Sequence, residues 1–313
     1  MTSAMKHLAD MIGYARTRKT HGIHDRATVE DLRVRSDGWG LPPGLDVRWL
    51  GVAGFALTYQ GTTILIDPYV SRSTLGQSLK RKPALPDSDL VNTWLPRADA
   101  VLVGHTHFDH AVDTPAIARR DGATVYGGTA ARHLLGLHGI DHQGVVVEPH
   151  KTYAVGPFEF AFTPSQHSKL LLGKKVPNGG EITCEHLSGL HANAYNCGDV
   201  WGIRITVQTN AAPFTLFHQG SADLIEDQIK DTDIDVFLCG VAGRQFTDDY
   251  TRRILRALTP HKIVITHHDD FFVPLGQPQG FAFGVDVDRF PYEVADVDRD
   301  IEVVTLPEPT PVG

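Results

Sequence analysis

From Asp46 to Pro68 apolar residues gather into short β-type runs broken by polar, Gly-containing turns. DVRWLG, GFALTYQ and TTILIDP are three runs of strand type, separated by Gly-containing turns at 52–54 and 60–61. This predicts a short β-meander from Asp46 that closes on Asp67-Pro68. Ala100–Val103 is a short apolar run halted by Gly104, the pattern of a buried strand. Beyond it, ATVYGG and GVVVEPH read as strands, and Thr114–Arg120 and Thr129–Leu137 as helices. Thr114-Pro115 supplies the chemistry of a helix start, and Asp121-Gly122 that of a stop. Strand–helix–strand alternation implies a parallel or mixed sheet covered by helices. KTYAVGPFEFAFTP reads as a hairpin about Gly156-Pro157, and WGIRITVQT with PFTLFHQ as another. Then follow a helix at Leu224–Lys230, a buried strand VFLCG, a helix at Asp248–Leu258, a last core strand KIVITHHDDF and a weak terminal strand IEVVTL. The Pro-rich end is expected to fray.

Three stretches lack this order. Residues 1–45 are polar and broken by charge, with a short helix expected at Met5–Tyr14 from the stripe Leu8, Met11 and Ile12. They read as an extension packing on a single domain, residues 46–313. Residues 69–97 and 169–200 show no period, and unpatterned segments of that length in compact domains are often functional.

Composition narrows the function. A hydrophobic share of 42% over 313 residues is enough to bury a large core. The formal charge of -8 argues against a nucleic-acid partner, which a basic face would announce. Cys184, Cys197 and Cys239 make neither a disulfide framework nor a zinc-spaced pair, which fits a reducing compartment. No apolar h-region opens the chain and no apolar run approaches ~18 residues, so no integral membrane segment is expected and the cytoplasm is the expected location. A homo-oligomer stays open. Seventeen His residues stand out, although His21 and His24 read as surface groups.

The chemistry concentrates in HTHFDH, residues 105–110, at the end of the Ala100–Val103 strand. While the chain stays extended, His105 and His107 share a face; as it turns into a helix, Asp109 and His110 reach a second point nearby. Imidazole and carboxylate at this density suit a borderline-soft divalent ion, zinc first. The string resembles the H-x-H-x-D-H signature of the metallo-β-lactamase fold superfamily. The resemblance runs over roughly residues 46–272, with its anchors in order at strand ends. It implies an α/β (α+β) fold, a four-layer αβ/βα sandwich of two mixed sheets with helices outside and metals at one rim. It places Asp67 beneath the site as an orienting group, although on its own residues Asp67 also reads as a turn-former before Pro68. PSQHS and THHDDF are similar to the lactonase-like and N-acyl phosphatidylethanolamine phospholipase D-like branch.

That resemblance implies one ion held by His105, His107 and His167, and another by Asp109, His110 and His267. Asp223 would bridge them, although Gly220-Ser221-Ala222 displaces it from the position directly after Gly that the family uses; the alternative for it is a helix-capping carboxylate. His268 falls where the family often has Trp. Two divalent ions, zinc or manganese, would share a hydroxide that Asp109 orients for attack on an ester, lactone or phosphodiester of a small anionic substrate. Lys169, His186, His191 and Tyr195 in the irregular segment, with Arg244 and His268 at strand ends, are the substrate-contact candidates; Lys174 and Lys175 add positive charge. The other reading is a non-catalytic regulatory or scaffold protein that binds metal through the same fold.

Overall fold

A computed structural model describes residues 3–35, 39–170, 175–230 and 232–312. Lys174 and the side chains of Leu8 and Met11 lie outside the described residues. The expected meander forms β1 (Asp46–Gly51), β2 (Gly54–Tyr59) and β3 (Thr62–Ile66), all antiparallel. Then β4 (Ala100–Leu102), β5 (Thr124–Gly127) and β6 (Gly144–Val146) add in parallel to complete a six-stranded sheet. The second sheet has seven strands: β7 (Thr152–Val155), β8 (Phe158–Pro164), β9 (Trp201–Val207), β10 (Phe214–Gln219), β11 (Val236–Gly240), β12 (Lys262–Thr266) and β13 (Glu302–Val304). It is antiparallel from β7 to β10 and parallel from β10 to β13.

Strand alternation builds the layers. Ile64 and Ile66 point inward with Phe55, Leu57, Ala100 and Leu102, and meet Phe160, Phe162, Ile203, Ile205 and Leu238 of the other sheet. Leu65 and Val101 point outward onto Ile117, Ala118, Leu134 and Leu135 of helices Thr114–Asp121 and Thr129–Leu137. Phe217, Phe237, Ile263 and Ile265 likewise meet Ile254, Leu255, Leu258, Phe290 and Val294 of helices Tyr250–Leu258 and Phe290–Ala295. Each fully buried Leu, Ile or Phe contributes roughly 1.5–3 kcal/mol, so three such layers hold four structural ones together. The result is the αβ/βα sandwich.

Local differences from the sequence reading have local causes. Segment 69–97 carries two short helices, Leu75–Leu79 and Ser88–Trp94. Thr74 and Gln77 form a capping box for the first, and Asp87 accepts from the Asp89 and Leu90 amides for the second. The helix expected at Leu224–Lys230 is only a 3-10 turn at Glu226–Gln228, because Ile225 is extended. The N-terminal helix runs over Ser3–Asp31, well past Tyr14. The C-terminal end is tied down: Val312 donates to the Thr93 carbonyl at 2.9 Å, and Arg48 donates to Thr310. No helix among the described residues is long and apolar enough to cross a membrane.

Topology sets the site. β3 runs parallel to β4, and β8, β10 and β12 share one direction because β9 is antiparallel to both its neighbours. The residues that follow these strands therefore meet at one rim between the sheets.

Candidate metal centre

Past β4 the chain stays extended, gripped from both sides. Val103 donates to Tyr126, Gly104 accepts from Trp201 at 2.8 Å, and Thr106 donates to Cys197 at 2.9 Å. His105 and His107 consequently share a face, with His105 Nε2 3.2 Å from His107 Nδ1. His107 precedes the helical turn Phe108–Ala111, which carries Asp109 and His110. His167, past β8, sets its ring 5.1 Å from that of His105 and 4.6 Å from that of His107. His267, the residue after β12, brings Nε2 to 3.5 Å from Asp109 Oδ2, which lies 3.8 Å from His110 Nε2. Two disjoint donor groups result, His105/His107/His167 and Asp109/His110/His267, each with ligand atoms within 4.8 Å of one another. Asp67 forms a third group with His105 and His110.

Outer hydrogen bonds aim most of these rings. His107 Nε2 donates to the Pro177 carbonyl at 3.0 Å, His167 Nδ1 to the Ser168 carbonyl at 2.9 Å, and His110 Nδ1 to Asp67 Oδ2 at 2.9 Å. In each case the other nitrogen keeps its lone pair for the cluster. Asp67 is itself fixed by the Gly104 amide at 2.6 Å and sits in the left-handed region at φ 41°. Such a backbone costs on the order of 1–3 kcal/mol for a non-glycine residue and persists only where its surroundings enforce it.

Burial, followed by the neighbouring imidazoles, holds His105 well below its ordinary pKa; burial also lowers His107, and brings His167 down to about 3. These rings are neutral near pH 7, the state in which imidazole binds metal. Burial pushes Asp109 upward, but His110 and His267 outweigh it and leave the carboxylate below its usual range. His110 is pulled down by burial and raised on balance by Asp109 and Asp67. Buried lone pairs that converge on one another, with few protein N–H groups to receive them, fit a divalent cation.

Two glycines complete the site by leaving room for Asp67 and His110. A Cβ at Gly104 would stand 2.9 Å from Asp67 Oδ2; one at Gly220 would stand 3.0 Å from that oxygen and 3.1 Å from His110 Cε1. Asp67→Asn should weaken metal binding by about 10- to 100-fold, since the amide cannot accept from both Gly104 and His110 as the carboxylate does. Calorimetric metal titration checks this, and parental affinity would show that His110 needs no anchor.

Several expected residues are not brought to the cluster. Asp223 Oδ1 accepts from the Leu224 amide at 2.9 Å and lies 3.7 Å from Arg253 Nη1; burial raises its pKa, and it belongs to none of the three donor groups. Ser221 stands where the resemblance puts a bridging carboxylate. Its hydroxyl donates to the Gln166 carbonyl and accepts from Gln219 Nε2, at 3.1 Å each. Asp223→Asn should therefore leave metal stoichiometry unchanged; a lost ion by elemental analysis would restore Asp223 as the bridge.

Arg244 is buried away from the cluster, on Glu293 at 3.1 Å and the Val285 and Asp286 carbonyls. Tyr195 is buried and donates to the Ala84 carbonyl at 2.6 Å, which ties the irregular segment to segment 69–97. His268 points opposite to His267, its ring 4.9 Å from that of Trp49. His186 is exposed before a 3-10 turn, and His191 bridges to Pro83. Lys169 is exposed on the side of Asp223, whose charge it favours.

Residues 46–267 match the β-lactamase superfamily domain, and the chain belongs to that family. A UPF0173 metal-dependent hydrolase of Anaeromyxobacter dehalogenans is 27% identical over 247 residues, covering 75% of this chain and 78% of that protein. Among solved structures, Igni18, a metallo hydrolase from Ignicoccus hospitalis, is similar at TM-score 0.51 and 19% identity, over 86% of this chain and 97% of that one. CmlA, a diiron β-hydroxylase from Streptomyces venezuelae, is similar at TM-score 0.51 and 16% identity, over 87% of this chain and 54% of that one. These two structures share the metallo-β-lactamase fold with this chain.

Proposed function

We propose that this protein is a metal-dependent hydrolase that holds two divalent ions, zinc or alternatively manganese, and cleaves an ester, lactone or phosphodiester bond of a small anionic substrate. The observation that carries this reading is the pair of disjoint donor groups at one rim, His105/His107/His167 and Asp109/His110/His267, all buried but the half-buried His167. Bound ions supply Lewis acidity and bring the pKa of coordinated water to roughly 7. The chain supplies the rest. Neutral His105, His107 and His167 offer lone pairs, and the Asp109 carboxylate, kept ionised by His110 and His267, would both ligate and orient a nucleophilic water. Asp67 fixes the His110 ring, and the Pro177 carbonyl the His107 ring. Half-buried Phe271 lies 5.9 Å from the His267 ring and packs on Phe108 and Phe272, a surface for the apolar part of a substrate. Lys169 and Lys175 provide positive charge on the segment that follows His167.

Elemental analysis of metal-supplemented protein should return two ions per chain, and a panel of lactones, esters and phosphodiesters should reveal turnover. Less than half an ion per chain would sink the reading. The second reading, a non-catalytic metal-binding protein, rests on the absence of Asp223 from the donor groups. Two bound ions with no turnover across the panel would favour it.

A further inference from the structure

We infer that the buried ion pair Arg72–Asp269 is the positioning device of His267. This rests on the ligand assignment of His267 in the proposed function. His107, His110 and His167 each have an outer partner that aims the ring. His267 does not: its Nδ1 is buried with no hydrogen-bond partner among the described residues. Its ring direction is instead imposed through the backbone.

His267 is left-handed at φ 57°, and its amide donates to the Val52 carbonyl at 2.7 Å. That carbonyl also accepts from Thr266 Oγ1 at 2.5 Å and Trp49 Nε1 at 3.0 Å. Val52, itself at φ 50°, donates its amide to Asp269 Oδ1 at 2.9 Å. Asp269 Oδ2 is held at 2.7 Å by Arg72 Nη2, and Arg72 Nη1 donates to the Asp270 carbonyl at 3.2 Å. Gly51, at φ 91°, makes the room: a Cβ there would stand 2.1 Å from Arg72 Nη2. Arg72, the 51–52 turn and residues 266–270 thus form one closed clamp. Without it, His267 can relax into extended backbone, which turns a side chain to the opposite face. With it, His267 faces Asp109 and His268 faces Trp49. Arg72 and Asp269 are positioning residues, since both act through Val52 rather than on substrate.

The test is calorimetric titration of metal-free protein with zinc alone, alongside its thermal unfolding. Arg72→Met with Asp269→Leu removes both charges together, a change that buried pairs often tolerate in stability. The expected result is an unfolding temperature near the parent's, one zinc step weakened by about 10- to 100-fold and the other unchanged. Arg72→Lys keeps the charge but loses the two-pronged grip, and should weaken the same step by less. It carries the test if the double variant fails to fold. His267→Ala identifies which step belongs to His267. If His267→Ala removes a step while Arg72→Lys and the double variant keep both steps at parental affinity, the clamp is overturned and the ligand assignment stands. If His267→Ala leaves both steps intact, the ligand assignment fails and the clamp's role falls with it.

Discussion

Replacing His107 with alanine should lower turnover by more than the ~10- to 100-fold that loss of an outer partner costs a metal site. His107 stands at the centre of its donor group, 3.2 Å from His105 Nε2 and with its ring 4.6 Å from that of His167. Alanine leaves that group two imidazoles, fewer than the three protein ligands a catalytic zinc ordinarily takes. It also frees the Pro177 carbonyl, so the segment over the site loses one of its ties. The fold should persist, because the truncated ring lies at the rim beyond β4 and belongs to none of the three apolar layers. Steady-state kinetics beside far-UV circular dichroism checks both halves. Parental turnover on a confirmed substrate would place the chemistry elsewhere.

Metal removal should have the largest effect on stability. An ion present at about 1,000 times its Kd stabilises the folded chain by about 4 kcal/mol, so stripping two ions should lower the unfolding temperature by on the order of 10 °C. The metal-free protein should also become acid-labile. His167 titrates near 3 in the fold, and His105 and His107 are likewise lowered, against about 6.5 for an unperturbed imidazole. Below about pH 6.5 the unfolded chain therefore binds protons that these folded rings refuse, and stability falls as the pH drops toward 3. His268, lowered to about 4 by burial, acts in the same direction. His110, whose pKa is raised, acts oppositely: its contribution is present at low pH and lost as the pH rises through its folded value. His138 and His218 are lowered too, while the carboxyls of Asp25, Asp113 and Asp223, raised by burial, act with His110; six lowered imidazoles should outweigh these four raised groups. Urea midpoints of metal-free protein at about pH 7.5 and about pH 5 decide this, since a higher midpoint at the acid value would reverse the sign.

HTHFDH was legible because its geometry is nearly local. A period of two puts His105 and His107 on one face, and a helical turn directly after them presents Asp109 and His110. The meander, both hairpins and helices Thr114–Asp121, Thr129–Leu137 and Tyr250–Leu258 follow from alternation and stop signals of the same short range. Segment 69–97 shows the limit of reading by period. Its helices are too short to display one, yet Thr74, Gln77 and Asp87 carried the capping chemistry. The strand expected over KIVITHHDDF stops at Thr266, short of His267 and His268. His267 is left-handed, and a backbone bond to Val52 decides which ring faces Asp109.

By itself, then, the sequence determined the strands and their alternation, the cluster at residues 105–110, and thereby the chemistry the site supports. Each depends on residues a few positions apart, where backbone period and turn chemistry act. The tertiary structure alone decided which distant groups join that cluster. It left Asp223 facing Arg253, buried Arg244 on Glu293, and set Gly220 against the His110–Asp67 pair. It also joined Arg72 to Asp269 across 197 positions of chain. A charged side chain has several acceptable partners in sequence, and only the stacking of the two sheets fixes which of them comes within hydrogen-bonding distance.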